Sequence, residues 1–498
     1  MSTTMIDRPA DTFTIPTSTT DPLAAEERLF SRRNGVYAAA LAGGVVLHAI
    51  NLFMTTTVMP SVVADIGGLD AYAWATTLFV VASILAAALT ARLLAAFGPR
   101  GAYCIAALAF GIGTLIGSLA PNMPVLLLSR TVQGFGGGFL YALAYAVTRL
   151  VLPPALWSRA VGLIASTFGV ATLIGPAVGG IFAELHAWRA AFWSLLPFVA
   201  LFAAIAAWKL PGKRPGTGEK APIAWLQLVL LAAAVLVVSA GSLSPDPRIS
   251  IAGLVVALAL TAWIGRVERR ARARLLPRGS FSMAAPLGLV YLVIALLMMA
   301  LQPDIFMSYL LQTLHGQTPL IAGYLASLIA IGWTAGTTIS VRVTGGGRPG
   351  AIVVGVLFVL AGLCMLGILL PLRSDGALGI VAVIAGALVV LGIGIGIAWP
   401  ALVTHVYRYA PRGEQDLASG GMTTIQLFAS ALGTAMAGMV ANLAGFVDPG
   451  GADGAASAAY WLVVIAALWP ILSLPLALRI LGLGRQDSME EARQHRDA

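Results

Sequence analysis

The chain has 498 residues, of which 59% are hydrophobic and only 10% are charged. A soluble domain carries roughly 25% charged residues, so this composition excludes a water-soluble fold. The 30 basic and 21 acidic residues leave a net charge of +9, whose meaning depends on where the basic residues lie. The sequence predicts an all-α polytopic membrane protein.

Apolar runs of about 20 residues, the length of a membrane-spanning helix, follow a polar N-terminal tail. This tail, residues 1–34, lacks the short apolar core and cleavage site of a signal peptide. A second polar tail covers residues 481–498. Between the tails the pattern predicts fourteen transmembrane helices, at 35–59, 71–95, 102–120, 124–150, 159–183, 190–210, 224–243, 249–265, 283–312, 319–341, 350–371, 377–402, 417–445 and 457–480.

Two polar stretches, 211–222 and 266–282, separate the seventh and eighth helices from the others. The predicted organisation is a six-helix bundle at 35–210, a linker with two inserted helices at 211–282, and a second six-helix bundle at 283–480. Similar Gly/Arg/Pro turns follow the second and the tenth helix, which indicates a repeat. Internal repeats of this kind are typical of secondary transporters, whose substrate site lies between the repeats near the middle of the membrane.

Basic residues lie almost entirely on one side of the predicted helices, together with both tails. The opposite loops contain Arg189, Arg248 and Arg373, and Arg130 lies inside a helix. Because basic loops stay in the cytoplasm, both termini are predicted to be cytoplasmic. The densest basic run, Arg266 to Arg278, has no interleaved aromatic residues, which favours contact with anionic lipid headgroups over nucleic acid. Arginine far outnumbers lysine, which suggests a GC-rich bacterial genome and the bacterial inner membrane.

Three ionisable side chains lie deep within the predicted spans, away from the helix ends: His48, Arg130 and Asp304. Such a side chain costs at least a few kcal/mol at the bilayer centre, so each one is expected to face a cavity or a partner. In the first helix His48, Asn51 and Thr55 recur at helical spacing and form a polar stripe. This stripe suits either the wall of a cavity or hydrogen bonding to a neighbouring helix.

The fourth helix carries a comparable stripe, which comprises Arg130, Gln133, Gly137, Tyr141 and Tyr145. A buried guanidinium needs an acceptor, and Arg130 has no acidic neighbour on its own helix. Pairing with a carboxylate of the other bundle would form a gate, whereas pairing within the first bundle would be structural.

Three carboxylates are candidate partners for Arg130: Asp304 within the spans, and Asp65 and Glu184 near the outer ends. Asp304 directly follows Gln302 and Pro303, and a proline there tends to kink the helix. A carboxyl group at a kink in the membrane could bind a proton or the substrate. Alternatively, Asp304 lies near enough to the outer surface to be hydrated.

The remaining motifs indicate no catalytic chemistry. Gly392, Gly394 and Gly396 lie in an apolar span without a preceding strand, so close helix packing explains them better than nucleotide binding. Cys104 and Cys364 are far apart in sequence and support neither a disulfide nor a zinc site. The sequence predicts a protein that is not an enzyme and that has no cofactor and no metal.

Two motifs carry a family resemblance. The fourth helix contains LSRTVQGFGGG, with Arg130, Gln133 and Gly134. The fifth helix contains GPAVGG, whose motif positions are Gly175, Pro176, Gly179 and Gly180. They resemble the Arg-x-x-Gln-Gly motif and the antiporter motif of the major facilitator superfamily, in its fourteen-helix drug:proton antiporter branch. The resemblance implies a major facilitator fold in which the glycines pack against the tenth or eleventh helix and limit leak.

Two departures from the family pattern stand out. The family has an acidic residue in the first helix where this chain has Asn51. The motif between the second and third helices normally contains Gly and Asp, here replaced by Ala91 and Ala95, while Gly98 and Arg100 remain. These differences leave open whether transport is coupled to protons and how the conformations are balanced.

The resemblance implies a secondary transporter that exports hydrophobic or cationic organic compounds by proton antiport with alternating access. Asp304 would carry the proton, Arg130 would organise the counter-charge, and the cavity would be lined by His48, Asn51, Gln133, Tyr141 and Trp399. The expected partners are a small-molecule substrate, protons and membrane lipids, and the chain is expected to be a monomer. The alternatives are a pH-independent facilitator or importer of a specific solute such as a siderophore, and a lipid-handling or scaffold protein.

Overall fold

The computed structural model describes residues 29–31, 34–153, 156–213, 223–244, 246–271, 273–344 and 347–497. Most of the N-terminal tail, most of the 211–222 stretch and Arg272 of the basic run therefore lie outside the described residues. Within the described ranges the regular structure is entirely helical. The prediction of an all-α protein is confirmed.

The N-terminal half consists of α1 to α5, and a turn of 3₁₀ helix at Leu69–Ala71 follows α1. The bounds of its helices are Asn34–Ile66, Trp74–Ser118, Met123–Val151, Trp157–Glu184 and Trp188–Lys209. The insert consists of α6 and α7, at Trp225–Gly241 and Pro247–Arg270. The C-terminal half consists of α8 to α14, at Pro286–Ala300, Asp304–His315, Pro319–Thr344, Gly350–Leu369, Leu378–Tyr409, Gln415–Leu443 and Gly451–Asp497.

Eleven helical segments of the described chain are long and apolar enough to cross a membrane. This number differs from the predicted fourteen for reasons visible in the helices. The predicted second and third helices form one element, α2, with a turn at Gly98 in its interior. Helix α6 has only 17 residues, and α3, which contains Arg130 and Arg149, is not among the eleven.

The predicted ninth helix is interrupted. Helix α8 ends at Ala300, a turn occupies residues 301–303, and α9 begins at Asp304. The cause is Pro303, which has no N–H to donate to the preceding turn. The side-chain amide of Gln302 donates to the Met298 carbonyl oxygen at 2.7 Å and satisfies an acceptor that the interruption leaves free.

Within each half the closest packing occurs between helices adjacent in the bundle, such as α2 with α3 and α10 with α12. The halves contact each other mainly through α4 with α10 and α2 with α13, and to a smaller extent through α1 with α9 and α10. The insert helix α6 packs on α7 and also contacts α13 and α2, so it touches both halves.

The two ends of the bundle differ in how closely the halves meet. We call the end that carries Asn34 and Lys209 the tail face, and the end that carries Ile66 and Glu184 the far face. At the far face, a Cβ on Gly180 of α4 would lie 2.4 Å from the Leu320 Cα of α10. Nearer the tail face, a Cβ on Gly169 would meet no atom within 4 Å. Helices α4 and α10 therefore diverge toward the tail face.

Candidate transport site

Arg130 lies on α3 and is the largest fully buried side chain among the described residues. Its Nε donates to the Ala75 carbonyl oxygen at 3.2 Å, and its Nη1 donates to Asn51 Oδ1 at 2.5 Å and to Gln133 Oε1 at 2.7 Å. The guanidinium carbon lies 4.3 Å from the ring centroid of Phe79, a cation–π distance. All these partners belong to α1, α2 and α3, so Arg130 is held within the N-terminal half.

None of the three predicted carboxylates accepts a hydrogen bond from Arg130 in the described structure. Asp65 accepts from Arg189 at 2.6 Å and from Trp188 at 3.0 Å. Glu184 accepts from the backbone N–H of Leu320 at 3.4 Å. Arg130 is therefore paired within the first bundle and not across the two bundles. Its side-chain acceptors are the amide oxygens of Asn51 and Gln133, not carboxylates.

The side chains around Arg130 form a compact group. We call His48, Asn51, Phe79, Arg130 and Gln133 the arginine cluster. Gln133 extends it by donating to Thr114 Oγ1 at 3.0 Å. His48 packs against the ring of Phe79 with the centroids 5.1 Å apart. The predicted polar stripes of the first and fourth helices thus meet in space.

Three buried nitrogen atoms of the arginine cluster make no hydrogen bond: His48 Nδ1, Asn51 Nδ2 and Arg130 Nη2. Buried polar groups nearly always have a partner, so free donors at this position indicate a place for an acceptor. Arg130 and Asn51 are 0% exposed, whereas His48 is partly exposed. His48 therefore lies between the surface of the site and the buried arginine.

Aromatic rings extend from His48 along α3. The rings of His48 and Tyr141 are 5.7 Å apart, and Tyr141 in turn contacts Tyr145 and Phe168. Tyr141 and Tyr145 were predicted from the helical stripe. Phe79 and Phe168 were not, because nothing in the sequence distinguishes them from other apolar core residues.

Glycines on α3 let its neighbours come close to the cluster. A Cβ on Gly137 would lie 2.6 Å from His48 Nδ1, and one on Gly134 would lie 2.4 Å from the Phe79 carbonyl oxygen. The glycines of the LSRTVQGFGGG motif therefore bring His48 and Phe79 against Arg130. Close packing of this kind is what small residues allow between membrane helices.

Asp304 lies in the C-terminal half, in the first turn of α9. A negative charge is favoured there by the helix dipole. Its Oδ1 is buried and has no hydrogen-bond partner. Beside it, Gln302 Oε1 accepts from Thr434 Oγ1 of α13 at 2.8 Å, and Gly433 leaves room for this contact. The turn that begins α9 is thus anchored, while the carboxylate has a free oxygen.

An aromatic cluster closes the far face close to Asp304. Tyr72 of the N-terminal half stacks on Phe306 with the centroids 5.1 Å apart, and Phe446 packs edge-on against Phe306 and Tyr309 at 5.1 and 4.8 Å. Tyr72, Phe306 and Phe446 are each no more than 2% exposed. These rings were not predicted, because they come from three distant segments.

Hydrogen bonds of the insert reinforce the far face. The Asn442 amide of α13 donates to the Asp70 and Ser242 carbonyl oxygens, both at 2.9 Å. Trp74 Nε1 of α2 donates to the Ser239 carbonyl oxygen at 3.1 Å. The last turn of α6 and the residue after it are therefore joined to both halves.

The predicted conformational motifs also have defined contacts. Gly175 and Gly179 pack against α1, while Pro176 and Gly180 pack against Gly323 and Leu320 of α10. The tenth helix is therefore the packing partner that the resemblance left open between the tenth and the eleventh.

At the tail face, Gly98 has a φ of +68°, and a Cβ there would lie 2.6 Å from the Lys213 Cα. Arg100 Nε donates to the Leu210 carbonyl oxygen at 3.0 Å. This motif thus anchors the segment that follows α5. A cavity of about 480 Å³ adjoins it, and its wall includes Ala91 and Ala95.

Trp399, predicted to line the cavity, packs edge-on against Trp333 of α10 with the centroids 5.3 Å apart. Both rings are partly exposed. They belong to the C-terminal half, so the structure does not bring Trp399 into the arginine cluster.

The sequence is similar to known transporters along most of its length. The model of the Major Facilitator Superfamily matches residues 41–434. A Mycobacterium tuberculosis protein named as a probable multidrug-efflux transporter is 36% identical over 460 residues, which cover 91% of this chain and 96% of that protein. A puromycin resistance protein of Streptomyces alboniger is 28% identical over 393 residues, 77% of each chain.

Solved structures show the same fold at low sequence identity. A mutant of the peptide transporter POT has a TM-score of 0.66 at 15% identity and is matched over 94% of this chain and 100% of its own. A D-xylose-proton symporter has a TM-score of 0.57 at 16% identity, with 89% of this chain and 96% of that one covered.

Proposed function

The chain belongs to the major facilitator superfamily, and on that premise we propose that it exports hydrophobic organic compounds, drugs among them, in exchange for protons. It is a bacterial membrane transporter and not an enzyme. The names of its relatives, a probable multidrug-efflux transporter and a puromycin resistance protein, support the drug class of substrate.

A fourteen-helix topology in the inner membrane fits this proposal. Counting α2 as two crossings and adding α3 and α6 to the segments that satisfy length and hydropathy gives fourteen. The distribution of Lys and Arg then favours both termini in the cytoplasm. In that orientation the tail face is cytoplasmic, and a molecule closed at the far face is ready to accept substrate from the cytoplasm.

The observation that carries proton exchange is the Asp304 carboxylate at the start of α9, whose Oδ1 is buried without a hydrogen-bond partner. An ionisable group in a membrane segment is costly and is expected to be functional. Asp304 is also two residues from Phe306, whose ring stacks on Tyr72 across the far face. A change in its protonation would therefore act close to the contact that must open for release.

Reconstitution into vesicles tests this assignment. An imposed pH gradient should drive accumulation of a dye substrate by the wild type, and Asp304→Asn should abolish accumulation while it still allows downhill exchange. Asp70→Asn makes the same chemical change on an exposed residue of the far face and should behave like the wild type. Undiminished gradient-driven transport by Asp304→Asn would refute the proton role.

A facilitator that works without protons is the second candidate. It is favoured by Asn51, because the side chain opposite Arg130 is an amide that cannot titrate. Downhill transport by the wild type with the same rate at all imposed pH gradients would support it over the exporter.

A further inference from the structure

We infer that the arginine cluster is a subsite for the anionic group, a carboxylate or a sulfonate, of an amphipathic organic acid. This inference rests on the proposed function, since it concerns the substrate of the same transporter. It differs from the hydrophobic or cationic compounds that the resemblance implies.

The charge of the cluster is the first reason. Arg130 carries a fixed positive charge and is 0% exposed. Its side-chain acceptors, Asn51 Oδ1 and Gln133 Oε1, are neutral amide oxygens. They satisfy hydrogen bonds of the guanidinium but leave its charge uncompensated. Burying an ion without a counter-ion is costly, so binding an anion here would relieve that cost.

The three carboxylates in the described part of the N-terminal half all lie outside the cluster, and Asp70 among them is exposed at the far face. In the described part of the N-terminal half, Asp65 pairs with Arg189 and Glu184 accepts from Leu320. Across the interface, Asp304 makes no hydrogen bond to Arg130. The described structure therefore supplies no internal counter-ion within hydrogen-bonding distance of this arginine.

The free atoms of the cluster are the second and independent reason. Arg130 Nη2 and Asn51 Nδ2 are buried without a partner, and each can only donate. His48 Nδ1 is also free and can donate in the appropriate tautomer. A carboxylate or sulfonate offers two or more acceptor oxygens to such donors, and charge-assisted hydrogen bonds of this kind are the strong ones. A cationic group supplies no acceptor to these donors.

The surroundings explain why the acid would be amphipathic. Beyond the partly exposed His48, the wall continues through Tyr141 and Phe168, whose rings are 6.1 Å apart. These rings would pack against an apolar or aromatic body while the anionic group points toward Arg130. Polar groups that fix orientation within an otherwise apolar wall are typical of small-molecule sites.

Paired dyes test the inference on purified wild-type protein and two variants. Fluorescein and rhodamine 6G share a xanthene ring but carry opposite charge, so polarisation titrations at one pH compare charge on a common scaffold. Asn51→Asp adds a carboxylate beside Arg130 with little change of shape. Gln312→Glu adds one on α9 of the C-terminal half, outside the turn that holds Asp304, and serves as the control for total charge.

We expect Asn51→Asp to weaken fluorescein binding roughly tenfold or more, because the new carboxylate pairs with Arg130 and repels the anionic dye. The affinity for rhodamine 6G should not fall. Gln312→Glu should change the ratio of the two affinities by less than about twofold. Equal weakening of both dyes by Asn51→Asp, or the same change of ratio in both variants, would overturn the inference.

A measurement on the wild type alone covers the case in which Asn51→Asp does not fold. Benzenesulfonate should displace bound fluorescein at lower concentration than phenyltrimethylammonium does. The reverse order would overturn the inference. These binding experiments use no pH gradient, so their result does not depend on whether the protein exchanges protons. Anion binding without gradient-driven transport contradicts only the exporter, and gradient-driven transport without anion preference contradicts only the anion subsite.

Discussion

The two ends of α4 show how one helix can pack tightly and loosely along the same face. Gly180 and Gly169 are eleven residues apart, about three turns, and so point in the same direction. At Gly180 the backbone of α10 touches α4, whereas at Gly169 there is open space. Two residues of the same type on one face therefore have opposite environments, because the halves meet at the far face and separate toward the tail face.

This difference indicates that contacts at the far face stabilise the observed conformation. The far face combines buried aromatic rings, backbone contact at glycine and hydrogen bonds to the insert. Each kind of contact can be removed separately by mutation. The fraction of molecules that are open at the far face should then rise with the free energy that the removed contact contributed. Spin labels on the exposed residues Leu185 and Leu372, in a background with Cys104→Ser and Cys364→Ser, would report the distance between the halves there.

The largest effect is expected from Tyr72→Ala. This change removes a ring that is 2% exposed and stacks on Phe306, which costs about 4 kcal/mol for a buried aromatic residue. The spin-label distance should lengthen for most molecules. Tyr145→Ala removes a tyrosine ring away from the far face and should leave the distance unchanged, so a similar lengthening there would argue against a specific role of Tyr72.

Gly180→Leu should have the next largest effect. The new side chain would overlap the backbone of Leu320, which cannot rotate away, at a cost of about 3 kcal/mol. Gly169→Leu is the matched control, because it places the same side chain on the same face in open space. If both variants opened the far face equally, helix propensity rather than contact with α10 would be responsible.

Asn442→Ala should open the far face by a smaller amount. It removes two hydrogen bonds, to Asp70 and Ser242, each worth about 1 kcal/mol net. Asn442→Asp retains the shape but loses the donor, so it should behave like Asn442→Ala in the distance measurement. An unchanged distance in both would exclude these bonds as a tie between the halves.

The smallest effect is expected from Trp74→Phe, which keeps most of the apolar contact and removes one donor to the Ser239 carbonyl oxygen. A loss of about 1 kcal/mol should appear as a slight lengthening of the mean distance. Combined with Asn442→Ala, it should lengthen the distance further than either change alone, because the two bonds end on different carbonyls of the insert. If the double variant lengthened the distance no more than Asn442→Ala alone, the bond from Trp74 to the insert would not contribute to closing the far face.

The sequence located most of the polar residues of the site but not their partners. His48, Asn51, Arg130 and Gln133 stand out because polar side chains are costly within apolar spans, and their spacing places them on defined helix faces. The sequence offers three carboxylates as acceptors for Arg130, whereas the structure shows the amide oxygens of Asn51 and Gln133 in that role. Which helix face meets Arg130 depends on how α1 packs on α3, and no local pattern encodes that packing.

The sequence by itself determined a helical membrane protein with a proline kink before Asp304, because hydropathy and proline geometry act locally along the chain. Charge distribution also gave a prediction for the cytoplasmic side. Tertiary structure alone decided that Tyr72, Phe306 and Phe446 close the far face and that Asn442 joins the insert to both halves. These contacts join residues hundreds of positions apart, so they arise only when the packed helices bring the segments together.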